Sequence, residues 1–193
     1  SAFLLEGGVD SMPAPLIANR GMCFQGTKVW GAGFIFEESP SGGSSSLRDM
    51  ESFLAQDPNC QEVIYPYIGG EEFNTDPSLR PRRFAIDFGD RPAAEAQKWP
   101  LLFELVEARV RPVRLSNKQR NYRENWWLHA NRVEGAGPYS RQHGRLIGLS
   151  QASKHMAFGF VPSGTIAANT MIVFLLHRSE EHTSELQSHS DLV

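Results

Sequence analysis

The chain has 193 residues, of which 40% are hydrophobic and 21% charged, and this composition excludes a disordered or fibrous protein. The apolar stretch at 171–176 is too short to cross a bilayer, and the apolar residues 2–5 lack the basic flank of a signal peptide. We therefore expect a soluble cytoplasmic protein with no membrane contact. Its two cysteines, Cys23 and Cys60, have no CxxC spacing and are expected to be reduced thiols.

The net charge of -3 conceals a strong asymmetry along the chain. Residues 1–108 hold 8 Lys/Arg and 16 Asp/Glu, whereas residues 109–154 hold 10 Lys/Arg and only Glu124 and Glu134 as acids. A basic stretch of this density is either a solvated face or a surface that binds a polyanion. Composition alone slightly favours the solvated face.

The first half of the chain predicts strands with one helix between them. Aromatic and small residues alternate over 21–36, which indicates strands joined by glycine turns. A Gly/Ser loop at 40–46 leads into an amphipathic helix over 46–56, with Ser46 as its N-cap. Further strands are predicted at 62–68, before a Gly69-Gly70 turn, and at 83–88.

In the second half, the strongest helix prediction covers 92–108, where Pro100 must kink the helix or start it afresh. A polar, basic segment at 111–125 ends at the adjacent pair Trp126-Trp127. Strand-like runs follow at 146–149, 157–161 and 166–176. These elements predict an α+β fold, in one domain over 1–177 with two lobes.

The motifs of a complete catalytic site are missing from the sequence. The glycines at 26, 31 and 33 are followed by a strand-like run instead of the Gly-Lys-Ser/Thr of a phosphate-binding loop. No Asn-Pro-Pro-aromatic motif of amino-methyltransferases occurs, and the histidines have no zinc-ligand spacing. The carboxylate pairs Glu71-Glu72 and Asp87/Asp90 could hold a metal, but without a Glu-x-Lys spacing they favour surface charge. We predict no catalytic residue and no metal ligand.

The C-terminal segment 178–193 resembles the translation of a sequencing adapter. It is polar throughout and has no sustained hydrophobic period. We expect a non-native, disordered tail whose histidines have no role.

Six motifs occur in a fixed order along the rest of the chain. They are ANRGMCFQGTKVWGAGF (18–34), VIYPYIGGEEFNTDPSLRPRRFAIDFGD (63–90), AAEAQKWPLLFELVEARVRPVR (93–114), RENWW (123–127), SKHMAFGFVPSG (153–164) and IVF (172–174). This ordered set resembles the target-recognition domain of MmeI-like (type IIG/IIL) restriction-modification enzymes. The chain departs from the family pattern at 133–144 and after Phe174, and we expect the domain to be truncated at both ends.

The resemblance implies that the chain recognises double-stranded DNA within a fused adenine-N6 methyltransferase and restriction endonuclease of a bacterium or archaeon. The methyltransferase and nuclease domains would lie elsewhere in the same polypeptide and would use S-adenosylmethionine and Mg²⁺, whereas this segment would need no cofactor. A standalone interaction or ligand-binding domain, with its basic face on a protein or an anionic polymer, is the alternative.

The candidate DNA contacts divide into two groups. Cations suited to the phosphate backbone are Lys28, Arg109, Arg111, Arg114, Lys118, Arg120 and Arg123. The resemblance places base reading near 150–155, where the candidates are Gln151, Ser153, Lys154 and His155.

Lys154 suits the two acceptors of a guanine, and Gln151 suits an adenine. A plain polar loop explains the same segment equally well. Weaker candidates for base contact are the amides Asn117, Gln119 and Asn121, and the turn residues Gln25 and Thr27. For the pair Trp126-Trp127, core packing of at least one ring is favoured over base stacking.

Overall fold

Two β-sheets, each with its own hydrophobic core, organise the described part of the protein. The computed structural model describes residues 21–131, 144–154 and 156–175. Phe24–Leu175 form one compact unit, and of the other unit, Ser1–Cys23 with Leu176–Val193, only residues 21–23 are described. The tail 178–193 and His155 therefore lie outside the described residues. The described part has the predicted α+β fold.

The larger sheet has five strands, β2 (Ile35–Glu37), β3 (Ser45–Ser46), β4 (Ile64–Ile68), β5 (Arg83–Ile86) and β8 (Ile166–Ala167). Their order is β3-β2-β5-β4-β8, with antiparallel pairs at the centre and a parallel pair at each edge. The strands predicted at 62–68 and 83–88 are confirmed as β4 and β5. The predicted Gly69-Gly70 turn is wrong, because helix α2 (Gly70–Thr75) begins there.

Five further α-helices are α1 (Leu47–Gln56), α3 (Ala93–Ala96), α4 (Pro100–Arg109), α5 (Arg111–Leu115) and α6 (Arg120–Glu124). Short 3-10 helices cover Ala32–Phe34 and Pro58–Val63. Ser46 caps α1 as predicted, since its side chain accepts a hydrogen bond from the Asp49 N–H at 3.1 Å. The helix predicted at 92–108 is divided, and Pro100 starts α4, where the first turn needs no N–H from that residue. Among the described residues, no helix is long and apolar enough to span a membrane.

The core beside the larger sheet joins strand residues to helices α3 and α4. Phe34, Ile86 and Phe88 are buried against Leu102 and Val106 of α4. Trp126 belongs to the same core, and its ring centroid lies 5.1 Å from that of Phe103. Trp127 is half-buried and donates its indole N–H to the Arg91 carbonyl at 2.9 Å. The preference for core packing at this pair is confirmed.

The second sheet contains β1 (Cys23–Gln25), β6 (Arg145–Ser150), β7 (Phe158–Pro162) and β9 (Met171–Phe174), in the order β1-β9-β6-β7. β6 is antiparallel to both β7 and β9. Its separate core includes Ile68, Leu146, Val161, Met171 and Val173. The apolar run at 166–176 is thus divided between two sheets, because the chain turns at 168–170.

Glycines in the first 40 residues permit close backbone approach. A Cβ on Gly26 would lie 2.1 Å from the Ala168 carbonyl oxygen, and one on Gly33 would lie 2.6 Å from the Arg109 Cβ. No side chain fits at those distances. The residues after Gly33 lead into β2, so these glycines serve packing and not a nucleotide loop.

Candidate nucleic-acid interface

The predicted base-reading loop joins β6 to β7, and the strands predicted on its two sides are confirmed. Its first residues are anchored at several points. The Gln151 N–H donates to the Thr170 carbonyl at 2.9 Å, and the Asn74 side chain donates to both Ser150 Oγ and the Ala152 carbonyl at 3.1 Å. Because Ser150 is buried, these bonds hold the start of the loop on the sheet. A defined backbone position is what a base-reading loop requires.

The predicted reading side chains that the structure describes are accessible. Gln151, Ser153 and Lys154 are all exposed, and Lys154 forms no ion pair with any residue that the structure describes. The loop therefore presents an amide, a hydroxyl and an ammonium group to solvent. These groups can match the donors and acceptors on base edges in a major groove.

Gln25 of β1 lies beside this loop. Its Nε2 donates to the Asn169 carbonyl at 2.9 Å and lies 3.5 Å from Gln151 Oε1. Two exposed side-chain amides from remote parts of the chain therefore lie next to each other on the surface. Thr27, the other weak candidate nearby, is buried, and its N–H bonds to the Ala167 carbonyl at 2.7 Å. Gln25 is therefore a better candidate for base contact than Thr27.

Residues 25–30 connect this region with the basic helices α5 and α6. Along residues 25–30, the side chains of Gln25, Lys28 and Trp30 are exposed, whereas Gly26 and Val29 are buried. Five residues of extended chain span at most roughly 17 Å. Since one turn of DNA is about 34 Å long, this row is short enough to follow half a turn.

Arg114 is the main correction to the predicted phosphate contacts. It is 2% exposed, and its guanidinium donates to the carbonyls of Trp30 at 3.0 Å, Val29 at 3.0 Å and Leu128 at 3.1 Å. Burial lowers the pKa of Arg114, although the group stays charged. Its donors are directed at the protein backbone, so Arg114 is removed from the candidate DNA contacts.

The other arginines of the basic stretch are engaged more loosely. Arg111 pairs with Glu107, and Arg120 pairs with Glu124 at 2.6 Å, each one helical turn apart. Such exposed pairs contribute little to stability, so a phosphate can replace the carboxylate. Both arginines thus stay available, but Glu107 and Glu124 cancel the positive charge that the two arginines would otherwise add to this surface.

The guanidinium groups of Arg109 and Arg123 donate mainly to backbone carbonyls. Arg109 donates to the Ser44 carbonyl at 2.6 Å and to Ser45 Oγ at 2.9 Å. Arg123 donates to the carbonyls of Asn117 at 2.7 Å and Lys118 at 2.9 Å. Their remaining donors can still meet an anion. Lys28 and Lys118, by contrast, are exposed and form no ion pair within 21–131, 144–154 and 156–175.

The amides between these cations have local partners. Asn117 Oδ1 accepts from the Gln119 N–H at 2.8 Å, and Asn121 Oδ1 accepts from Asn125 at 2.6 Å. Asn117 and Asn121 therefore stabilise the turn and helix around them, which makes base reading a less suitable role for either.

The paired carboxylates hold the fold together in the same way. Glu72 bonds to Arg83 at 2.5 Å and accepts the Gly69 N–H at 3.0 Å, and Asp87 accepts the Gly89 N–H at 2.9 Å. Among the described residues, no group of three or more His, Cys, Asp or Glu could hold a metal ion.

Cys23 and Cys60 are both free thiols, and burial raises the pKa of each.

Comparison with known proteins finds a likeness in structure. No family model and no curated protein matches the chain. The fold is similar to that of the type IIL restriction-modification enzyme MmeI, solved in complex with DNA, with a TM-score of 0.59 and 15% sequence identity. The match covers 80% of this chain and 19% of that chain. The matched part of this chain thus corresponds in fold to about a fifth of the MmeI chain.

Proposed function

We propose that this chain is a DNA-recognition module that binds double-stranded DNA in a sequence-specific manner. The observation that carries the proposal is the likeness in fold to MmeI, whose structure was solved with DNA. The anchored loop at 151–157 supports it, because this loop presents Gln151, Ser153 and Lys154 to solvent beside Gln25. Exposed cations on the same compact unit would supply the phosphate contacts that such loops need.

A wider assignment is also proposed. The chain covers 19% of the MmeI chain. We propose that methyl transfer and cleavage belong to other domains of a larger polypeptide. We place binding of S-adenosylmethionine and Mg²⁺ in those domains, for an adenine-N6 methyltransferase fused to an endonuclease. Within this chain, His155 and the described loop residues would read bases, and Lys28, Arg109, Arg111, Lys118, Arg120 and Arg123 would contact phosphates.

A binding selection tests the DNA-recognition proposal directly. The full chain is incubated with a library of random duplexes, and the bound DNA is sequenced. We expect one enriched motif, which weakens at single positions in the variants Gln151→Ala and Lys154→Ala. Lys98→Ala is the matched control, since Lys98 is exposed in the turn after α3 and belongs to the acidic part of the chain. Absence of any enriched motif in the wild-type chain contradicts the proposal.

One observation favours the alternative of a protein-interaction domain. Met156, Phe158 and Phe160 are 78%, 58% and 50% exposed and lie on or beside the edge strand β7. The Arg145 guanidinium covers the Phe160 ring at 3.9 Å. An exposed apolar strip of this kind is typical of a protein contact. If Phe158→Ser and Phe160→Ser abolish capture of a protein partner while DNA selects no motif, the alternative replaces the DNA assignment.

A further inference from the structure

Trp30 has an unusual backbone for an exposed aromatic residue. Its φ is +42°, in the left-handed region that a side chain with a Cβ rarely adopts, and its side chain is 38% exposed. Strain of this kind persists only where the surrounding structure imposes it, and it is concentrated at functional sites. The position of Trp30 is thus determined by its neighbours.

Arg114 and Tyr122 are those neighbours. The buried Arg114 guanidinium bonds to the carbonyls of Val29 and Trp30, and its centre lies 6.0 Å from the Trp30 ring. The Tyr122 ring meets the indole edge-to-face, with 4.8 Å between the centroids. The indole is therefore in contact with residues of both α5 and α6.

Two groups at Trp30 can donate to an anion. The Lys28 ammonium lies 4.8 Å from the ring centroid, which is a cation–π contact. The Trp30 indole N–H has no hydrogen-bond acceptor among the residues that the structure describes, whereas Trp99 and Trp127 each donate theirs to a carbonyl at 2.9 Å. A positive charge and an open N–H donor on a rigid frame suit an oxyanion.

We propose that Lys28 and the indole N–H of Trp30 together bind one phosphodiester of the DNA backbone. This inference rests on the proposed DNA-binding function. The Lys28 ammonium already lies against the Trp30 ring, so a phosphate suits this site better than a base stacked on the ring. The contact lies at most roughly 17 Å along the chain from Gln25, and it would set the register of the reading loop on the duplex.

Salt-dependent binding separates the two donors. Affinity of the full chain for a 30-base-pair duplex of mixed sequence is measured by fluorescence anisotropy between about 50 and 200 mM salt. Lys28→Met removes a charge, so the slope of log affinity against log salt should become shallower by roughly 0.9. Trp30→Phe removes a neutral donor, so it should weaken binding roughly tenfold without changing that slope. Lys98→Met and Trp127→Phe are the matched controls and should leave affinity and slope unchanged.

Each result has a defined meaning. Both expected effects together support the phosphate contact. If Trp30→Phe binds normally and Trp30→Ala does not, the ring stacks on a base, and the phosphate assignment is wrong. Circular dichroism detects whether Trp30→Phe fails to fold. Even in that case, an unchanged slope of log affinity against log salt in Lys28→Met overturns the proposal. If the wild-type chain binds no duplex at all, it is the proposed function itself that fails.

Discussion

The side-chain amides of Gln25 and Gln151 lie 3.5 Å apart although 126 residues separate them in the chain. Gln25 also donates to the Asn169 carbonyl, so its amide is held while it faces Gln151. Donation from the Gln25 amide N–H to Gln151 Oε1 would fix which way the Gln151 amide is turned. A glutamine needs one defined orientation to read adenine with both its donor and its acceptor.

The Gln25–Gln151 contact predicts energetic coupling in DNA recognition. Gln151→Ala should reduce discrimination at one base pair by about 1–3 kcal/mol, because a bidentate contact is lost. Gln25→Ala should reduce discrimination at the same base pair, and the double variant should lose less than the sum of the two. Affinities for the selected motif and its single-base variants complete this double-mutant cycle. Strict additivity would show that the two amides act independently.

Lys154→Asp is predicted to change the preferred base at one position of the bound sequence. A carboxylate accepts from a cytosine amino group, whereas an ammonium donates to guanine, so the preference should move from guanine to cytosine. Selection from random duplexes with both proteins measures this change. A lysine that contacts phosphate behaves differently, because its loss weakens all sequences alike. An unchanged motif with uniformly lower occupancy would therefore move Lys154 to the phosphate contacts.

Arg114→Met is predicted to lower the free energy of unfolding by about 1–3 kcal/mol. The substitution removes the donors from three backbone carbonyls, of which that of Val29 accepts a buried bond, and a buried acceptor left without a partner costs about that much. Arg120→Met, on the exposed face of α6, should leave the free energy of unfolding nearly unchanged. Urea unfolding followed by circular dichroism compares the two. Similar small losses in both variants would contradict the buried role of Arg114.

The cap of α1 predicts a pH-dependent contribution to stability. Hydrogen bonds from the Ser46 backbone and side chain lower the pKa of Asp49 below its ordinary 3.8. The contribution is therefore fully present above pH 3.8 and is lost as the pH falls through the lower pKa of the folded protein. Ser46→Ala should cost about 1 kcal/mol at pH 7. Asp49→Asn is the control that should remove the pH dependence at this cap, and an unaltered acid-unfolding profile in that variant would contradict it.

Local patterns in the sequence predicted what depends on near neighbours. Ser46 caps α1 because its side chain reaches an N–H three residues ahead, and Pro100 starts α4 because it lacks an N–H. The strands around the reading loop follow from alternation over a few residues. These features involve short-range bonds, so the residue order determines them directly.

Only the tertiary structure decided which cation is buried and which distant residues meet. Arg114 looks like its basic neighbours in sequence, but the fold closes Val29, Trp30 and Leu128 around its guanidinium. Gln25 lies next to Gln151 because β1 and β6 both flank β9 in the second sheet, and the carbonyl of Asn169, in the turn before β9, accepts a bond from Gln25. Both outcomes depend on strand order and helix packing across more than 80 residues of chain. Side-chain type and local period carry no information over such distances, because burial is a property of the assembled core.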